Sequence, residues 1–179
     1  WGLSCSSTSC SNIPTQSAFL STVAAYVQDS STGSTGGYGS SYLIVLDFEN
    51  IEIDQASSQA QANQEKAVLL QFAQWVRQAY PSALVGLYDY DYNTAYQSTR
   101  ALLYGSSGFN VFAPSLYQRW SSHTTWQNNL NAAISHNQAI NSALPIYPYI
   151  SPYVSGSVSS GFLASSEWQS ELSNLIAST

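Results

Sequence analysis

The chain has 179 residues, of which 44% are hydrophobic, 13% aromatic and only 8% charged. That length supports a buried core, and the aromatic content excludes a disordered tail. A net charge of −6 with four Lys and Arg excludes the cationic footprint of a nucleic-acid binder, and no apolar run reaches the roughly 20 residues that span a bilayer.

Residues 1–12 read as an irregular, Ser-rich lead-in holding the two cysteines, Cys5 and Cys10. Two thiolates are too few for a structural zinc site and neither histidine is nearby, so a small-loop disulfide is expected, with the secreted or extracellular setting that goes with it. Serine is the commonest residue and Lys66 the only lysine, so solubility rests on hydroxyls and amides. O-linked sugar suits such a surface, whereas no Asn-x-Ser/Thr acceptor exists. With no methionine and no leader, a mature, processed or trimmed chain is expected.

Pro14 and Thr15 precede Phe19, Leu20, Val23, Ala24 and Val27, a helical spacing over 15–28. A Gly/Ser/Thr loop covers 30–41. Tyr42 to Leu46 is continuously apolar, as in a strand buried on both faces of a parallel sheet. The strongest helix signal spans 58–80 and stops at Pro81. A second strand runs from Ala83 to Tyr90, a short helix covers 96–104, and a third strand runs from Phe109 to Tyr117. Trp126, Leu130, Ala133 and Ile134 mark a helix over 123–141. A fourth strand spans 143–150 with Pro145 and Pro148 near its ends, and a helix closes the chain over 164–177.

Helix followed by repeated strand–helix alternation implies parallel strands joined by right-handed crossovers. The expected fold class is α/β: one domain over 1–179 that is parallel (β/α) TIM-barrel-like and incomplete. A full eight-stranded barrel takes about 250 residues. Four strands do not close one, so the sheet stays open or other chains of the same assembly supply the missing strands.

Six of the ten acids cluster after the first two strands: Asp47, Glu49, Glu52 and Asp54, then Asp89 and Asp91. Ligands bind at such carboxyl ends in parallel α/β folds. Asp47 and Glu49 are two apart and share a face if both remain in strand conformation. Close carboxylates do not both ionise cheaply, so one pKa rises, which is what a general acid near neutral pH needs. The plain alternative is a pair of solvated turn acids. Tyrosine, with 13 copies, also gathers at strand ends. Tyr88, Tyr90 and Tyr92 alternate with Asp89 and Asp91, Tyr117 and Trp120 end the third strand, and Tyr147, Tyr149 and Tyr153 end the fourth. Aromatics beside carboxylates suit the C–H faces and hydroxyls of sugars; the structural alternative is that each ring is core. Glu49, Glu52, Asp54, Asp89 and Asp91 are also of a type to surround a hard cation, but no EF-hand spacing occurs, and His123 and His136 read as ordinary helix residues. No nucleophile elbow or phosphate-cradling glycine motif is present.

Val45-Leu46-Asp47-Phe48-Glu49 resembles the strand end of the hyaluronidase-type glycoside hydrolases, which carry an aspartate, an aromatic and a glutamate there. Ile13-Pro14-Thr15-Gln16 is similar to that family's V-P-Q segment. Tyr80-Pro81, Gly86-Leu87-Tyr88 and Tyr92-Asn93 resemble its proline, G-x-Y and Y-N series. Pro114-Ser115-Leu116-Tyr117 with Arg119-Trp120 resembles its P-S-x-Y strand, and Leu144-Pro145 with the following tyrosines its L-P-Y strand. The order is kept over roughly 13–155, the middle of such a barrel. The resemblance implies Glu49 as the acid that protonates the glycosidic oxygen. It implies Asp47 as the group that orients the substrate's N-acetyl, whose oxygen is the internal nucleophile, a departure from the two-carboxylate scheme. It implies Tyr88 and Tyr117 as holders of the acetamido group. Where the family continues Trp-Arg-Pro, this chain has Asn50-Ile51-Glu52, and its few cations suit a uronate polymer poorly.

The expected function is a secreted hyaluronidase-like hydrolase of an N-acetylhexosamine polysaccharide. Catalytic residues would be Glu49, Asp47, Tyr88 and Tyr117. Tyr90, Asp89, Asp91, Tyr92, Arg119, Trp120, Tyr149 and Tyr153 would bind the sugar, with no cofactor and no metal. The alternative is an inactive barrel-like domain with a structural or carbohydrate-binding role in an extracellular assembly.

Overall fold

A computed structural model describes residues 2–32, 43–90, 94–117, 123–153 and 161–178. The elements are β1 (Ser4–Cys5), β2 (Cys10–Ser11), α1 (Gln16–Thr32), β3 (Leu43–Leu46), α2 (Gln59–Ala79), β4 (Leu84–Asp89), α3 (Gln97–Ala101), β5 (Val111–Pro114), α4 (His123–Asn141) and α5 (Ser165–Ser178). The chain divides into two compact units, Trp1–Gly86 with Ala95–Asn110, and Leu87–Thr94 with Val111–Thr179. A three-stranded parallel sheet has the order β3–β4–β5, and β4 begins in the first unit and ends in the second. No closed barrel forms among the described residues.

In the first unit the lead-in is more ordered than its composition indicates. β1 and β2 pair antiparallel with Cys5 opposite Cys10, and a disulfide joins the two. The Ser6 hydroxyl accepts the Thr8 and Ser9 amides and so closes the turn. Two-residue strands carry no readable periodicity, which is why the sequence gives no sign of them. Thr15 starts α1 as expected, its hydroxyl accepting the Ala18 amide. Ser58 does the same for α2 through the Gln61 amide. The inner stripe of α2 (Ala62, Glu65, Leu69, Phe72, Ala73 and Val76) follows helical spacing. Phe72 stacks on Phe19 of α1 at 4.5 Å, and Trp75 tilts against both rings. Near the end of α2, Arg77 Nη1 donates to the carbonyls of Gly105, Ser106 and Gly108. Gly108 is obligatory in that loop, because a Cβ there would collide with the Leu103 carbonyl.

β5 is buried along its length and β4 nearly so, as expected of inner parallel strands. β3 is not: Leu43 is 48% exposed. It ends the strand order among the described residues, so the apolar run marks an edge strand rather than one covered on both faces.

In the second unit the predicted fourth strand appears as two parallel bridges to β5, Phe112 with Ile146 and Ser115 with Tyr149. The Tyr147 and Tyr149 amides donate to the Phe112 and Pro114 carbonyls, and the Phe112 and Leu116 amides to Pro145 and Tyr149. The register is constant. It also calls for a bond from residue 114 to the Tyr147 carbonyl, and Pro114 has no N–H to make it. The strand is therefore present but interrupted. α4 buries Trp126, Leu130, Ala133 and Asn137. The Trp126 indole N–H donates to the Leu116 carbonyl at 2.8 Å, and Leu175 of α5 packs on the same cluster.

Candidate functional site

The acid pair follows β3 directly, but not in strand geometry. β3 ends at Leu46, and Glu49 and Asn50 form the middle of a turn closed by the Ile51 amide donating to the Phe48 carbonyl at 3.1 Å. The pleat therefore does not set their relation, as a strand would have. They interact nonetheless. Desolvation raises the Asp47 pKa above its ordinary value, and the neighbouring Glu49 charge adds to the rise. Both side chains are exposed. Between them Phe48 turns inward and stacks on Phe72 at 5.0 Å and on Phe19 at 6.5 Å. On the far side of the turn Ile51 is fully buried.

Of the other acids in this segment, Asp54 lies in a 3₁₀ turn, Ile53–Gln55, packed on α2 and α3. Its charge reaches Glu65, the one acid of α2, which is buried and whose Oε1 accepts from the Gln61 side chain. Burial pushes the Glu65 pKa up, the Gln61 bond opposes that, and Asp54 adds to the rise. A lone acid on a long helix reads as a surface group; here it is buried and accepts from Gln61, while Gln59 of the same helix donates to the Thr99 hydroxyl at 2.6 Å.

The second unit gathers phenols. Tyr88 of β4 donates to or accepts from the Ser115 hydroxyl at 2.6 Å. Its ring meets Tyr149 edge-on at 5.3 Å, Tyr117 at 6.2 Å and Tyr90 at 6.4 Å. Parallel pairing explains the cluster: the Ser115 amide donates to the Asp89 carbonyl and Ser115 bridges Tyr149, so three adjacent strand ends bring their tyrosines together. Asp89 has a different environment. It is 4% exposed, and its Oδ1 accepts the Tyr90 amide at 2.7 Å. Tyr153 tilts against Phe162 at 4.4 Å, a partner that no motif indicated. Asp91, Tyr92, Arg119 and Trp120 lie outside the described residues. Among the described residues no group of three or more His, Cys, Asp or Glu is placed to hold a metal ion, and no helix is long and apolar enough to cross a membrane.

Ser115 and Phe48 are the two residues that sequence reading undervalued. Ser115 was legible only as part of P-S-x-Y, and Phe48 only as the spacer between two acids.

A search of solved structures finds bee venom hyaluronidase, in a crystal structure with a hyaluronic acid tetramer, at a TM-score of 0.59 and 14% identity. The likeness is one of fold. It covers 74% of this chain and 57% of that one, so the chain spans little more than half of the enzyme it matches. The fold expectation is met at that level: a mixed α/β chain built like part of a TIM-barrel enzyme. No protein-family model matches the chain, and no curated protein matches it significantly.

Proposed function

We propose that the chain is a secreted hyaluronidase-like glycoside hydrolase acting on a neutral or lightly charged N-acetylhexosamine polysaccharide. The observation that carries this reading is the Asp47–Glu49 pair, exposed and close enough for the Glu49 charge to act on Asp47, on the turn that leaves β3, in a chain whose fold is similar to part of a hyaluronidase. Glu49 protonates the glycosidic oxygen. Asp47 holds the acetamido group so that its carbonyl oxygen attacks the anomeric carbon, and water then opens the cyclic intermediate. Tyr88 and Tyr117 contribute phenols to the acetamido group, and Tyr90 and Tyr149 contribute ring faces to the sugar. The Cys5–Cys10 disulfide supports an oxidising compartment. Net charge −6 favours a neutral polymer over hyaluronan, since exposed carboxylates repel uronates.

The test is reducing-end release from a panel of amino-sugar polymers, including chitin oligomers and hyaluronan. Glu49→Gln is expected to slow cleavage by about a hundred- to ten-thousandfold while binding survives. Absence of cleavage of every polymer by the wild-type chain refutes the enzyme reading. The engagement of the Tyr88 hydroxyl with Ser115 favours a second reading, a sugar-binding domain without catalysis. In that case wild type and Glu49→Gln bind the polymer equally and neither cleaves it.

A further inference from the structure

We propose that Phe48 is a positioning residue: its ring, seated against Phe72 and Phe19, fixes the turn on which the Asp47 and Glu49 carboxyls stand. What those carboxyls do rests on the hydrolase reading above; how they are held does not.

Three observations converge. The turn is pinned on both sides of Glu49 by apolar side chains, Phe48 before it and the fully buried Ile51 after it, and the Ile51 amide closes it on the Phe48 carbonyl. The ring of Phe48 is near-parallel to those of Phe72 (26°) and Phe19 (27°), so rotation of the ring is opposed from two helices at once. The flanking acids are both exposed, so side-chain packing does not hold them. The backbone must do so, and in this turn its anchors are Phe48 and Ile51. A catalytic constellation tolerates little misplacement, which gives the spacer between two acids a role of its own.

A purely structural ring would lower stability when removed and leave the carboxyls' chemistry alone. A positioning ring also changes how they titrate. The experiment is carboxyl-carbon NMR titration of Asp47 in wild type, Phe48→Leu, Phe48→Tyr and Glu49→Gln, with amide exchange of Ile51 in the wild type. Expected are a wild-type midpoint above the ordinary aspartate range, a downward shift in Phe48→Leu, and wild-type behaviour in Phe48→Tyr, whose ring still stacks. Slow exchange of the Ile51 amide is expected as well. Where the chain cleaves a polymer, Phe48→Leu lowers kcat about ten- to a hundredfold and leaves KM nearly unchanged. An unchanged Asp47 midpoint in folded Phe48→Leu overturns the proposal. So does an Ile51 amide that exchanges like an open loop, a measurement on wild type that stands even if the leucine variant does not fold. A chain that cleaves nothing yet gives the expected titrations refutes the hydrolase reading and leaves the positioning inference intact.

Discussion

The turn after β3 and the tyrosine cluster of the second unit hold polar groups in opposite ways. On the turn the two carboxyl side chains are exposed, and the half-buried aromatic between them packs inward on Phe72. In the cluster the side chains restrain one another, ring against ring, and the Tyr88 hydroxyl is tied to Ser115. The first arrangement leaves carboxyls ready to exchange protons with a ligand. The second builds a stiff apolar surface with polar edges, suited to contact rather than proton transfer.

The contrast breaks most severely if the anchor under the turn is removed. Phe72→Ala takes away the ring shared by Phe19, Phe48 and Trp75 at the centre of the first unit. We expect a loss of about 3–5 kcal/mol, read from the urea midpoint, with the Asp47–Glu49 turn loosened in any variant that still folds.

A smaller effect isolates the second unit. Glu171 on α5 is 1% exposed, neither of its carboxylate oxygens has a hydrogen-bond partner among the described residues, and its pKa is pushed up to about 7. Burial is the main cause, with the Glu167 charge second. Its folded pKa exceeds its unfolded one, so the folded state binds the extra proton. The group therefore costs no stability below its ordinary range near 4.5, and its penalty grows as pH rises toward 7. Glu171→Gln is expected to raise Tm at pH 8, the underlying gain in stability being bounded at about 3 kcal/mol, and to leave Tm unchanged at pH 4. Thermal melts at the two pH values decide it.

The smallest change sharpens the cluster itself. Tyr88→Phe removes the bond to Ser115 and leaves the ring contacts in place. A loss of about 1 kcal/mol is expected in urea denaturation. A much larger loss would mean that the hydroxyl, rather than the packed rings, organises the phenols.

The long elements were legible because burial dictates their spacing. α2 and α4 occupy nearly the predicted ranges, since Leu69, Phe72 and Val76, and Trp126, Leu130 and Ala133, must each face one way. What escaped reading depends on partners distant in sequence. Nothing local marks Leu43–Leu46 as ending the strand order among the described residues, or tells that Pro114 deletes one bond from an otherwise regular ladder. The spacing of Asp47 and Glu49 marks the pair, but β3 ends at Leu46, so a turn rather than a shared strand face relates the two groups, and the Glu49 charge acts on Asp47. The Tyr88–Ser115 bond arises from strand pairing that no short motif encodes, and Phe48 became informative only once Phe19 and Phe72 were seen on either side.

Arginine usage bears on the ligands this protein is able to retain. Arg77 is committed to three backbone carbonyls of the 105–108 loop, and Arg100 is enclosed beside the Tyr104 ring. Half of the chain's four basic side chains are thus mortar for the scaffold rather than magnets on its surface. With those two cations so engaged and a net charge of −6, a sulfated or uronic chain is expected to be held weakly at low ionic strength and more firmly as added salt masks the mutual repulsion.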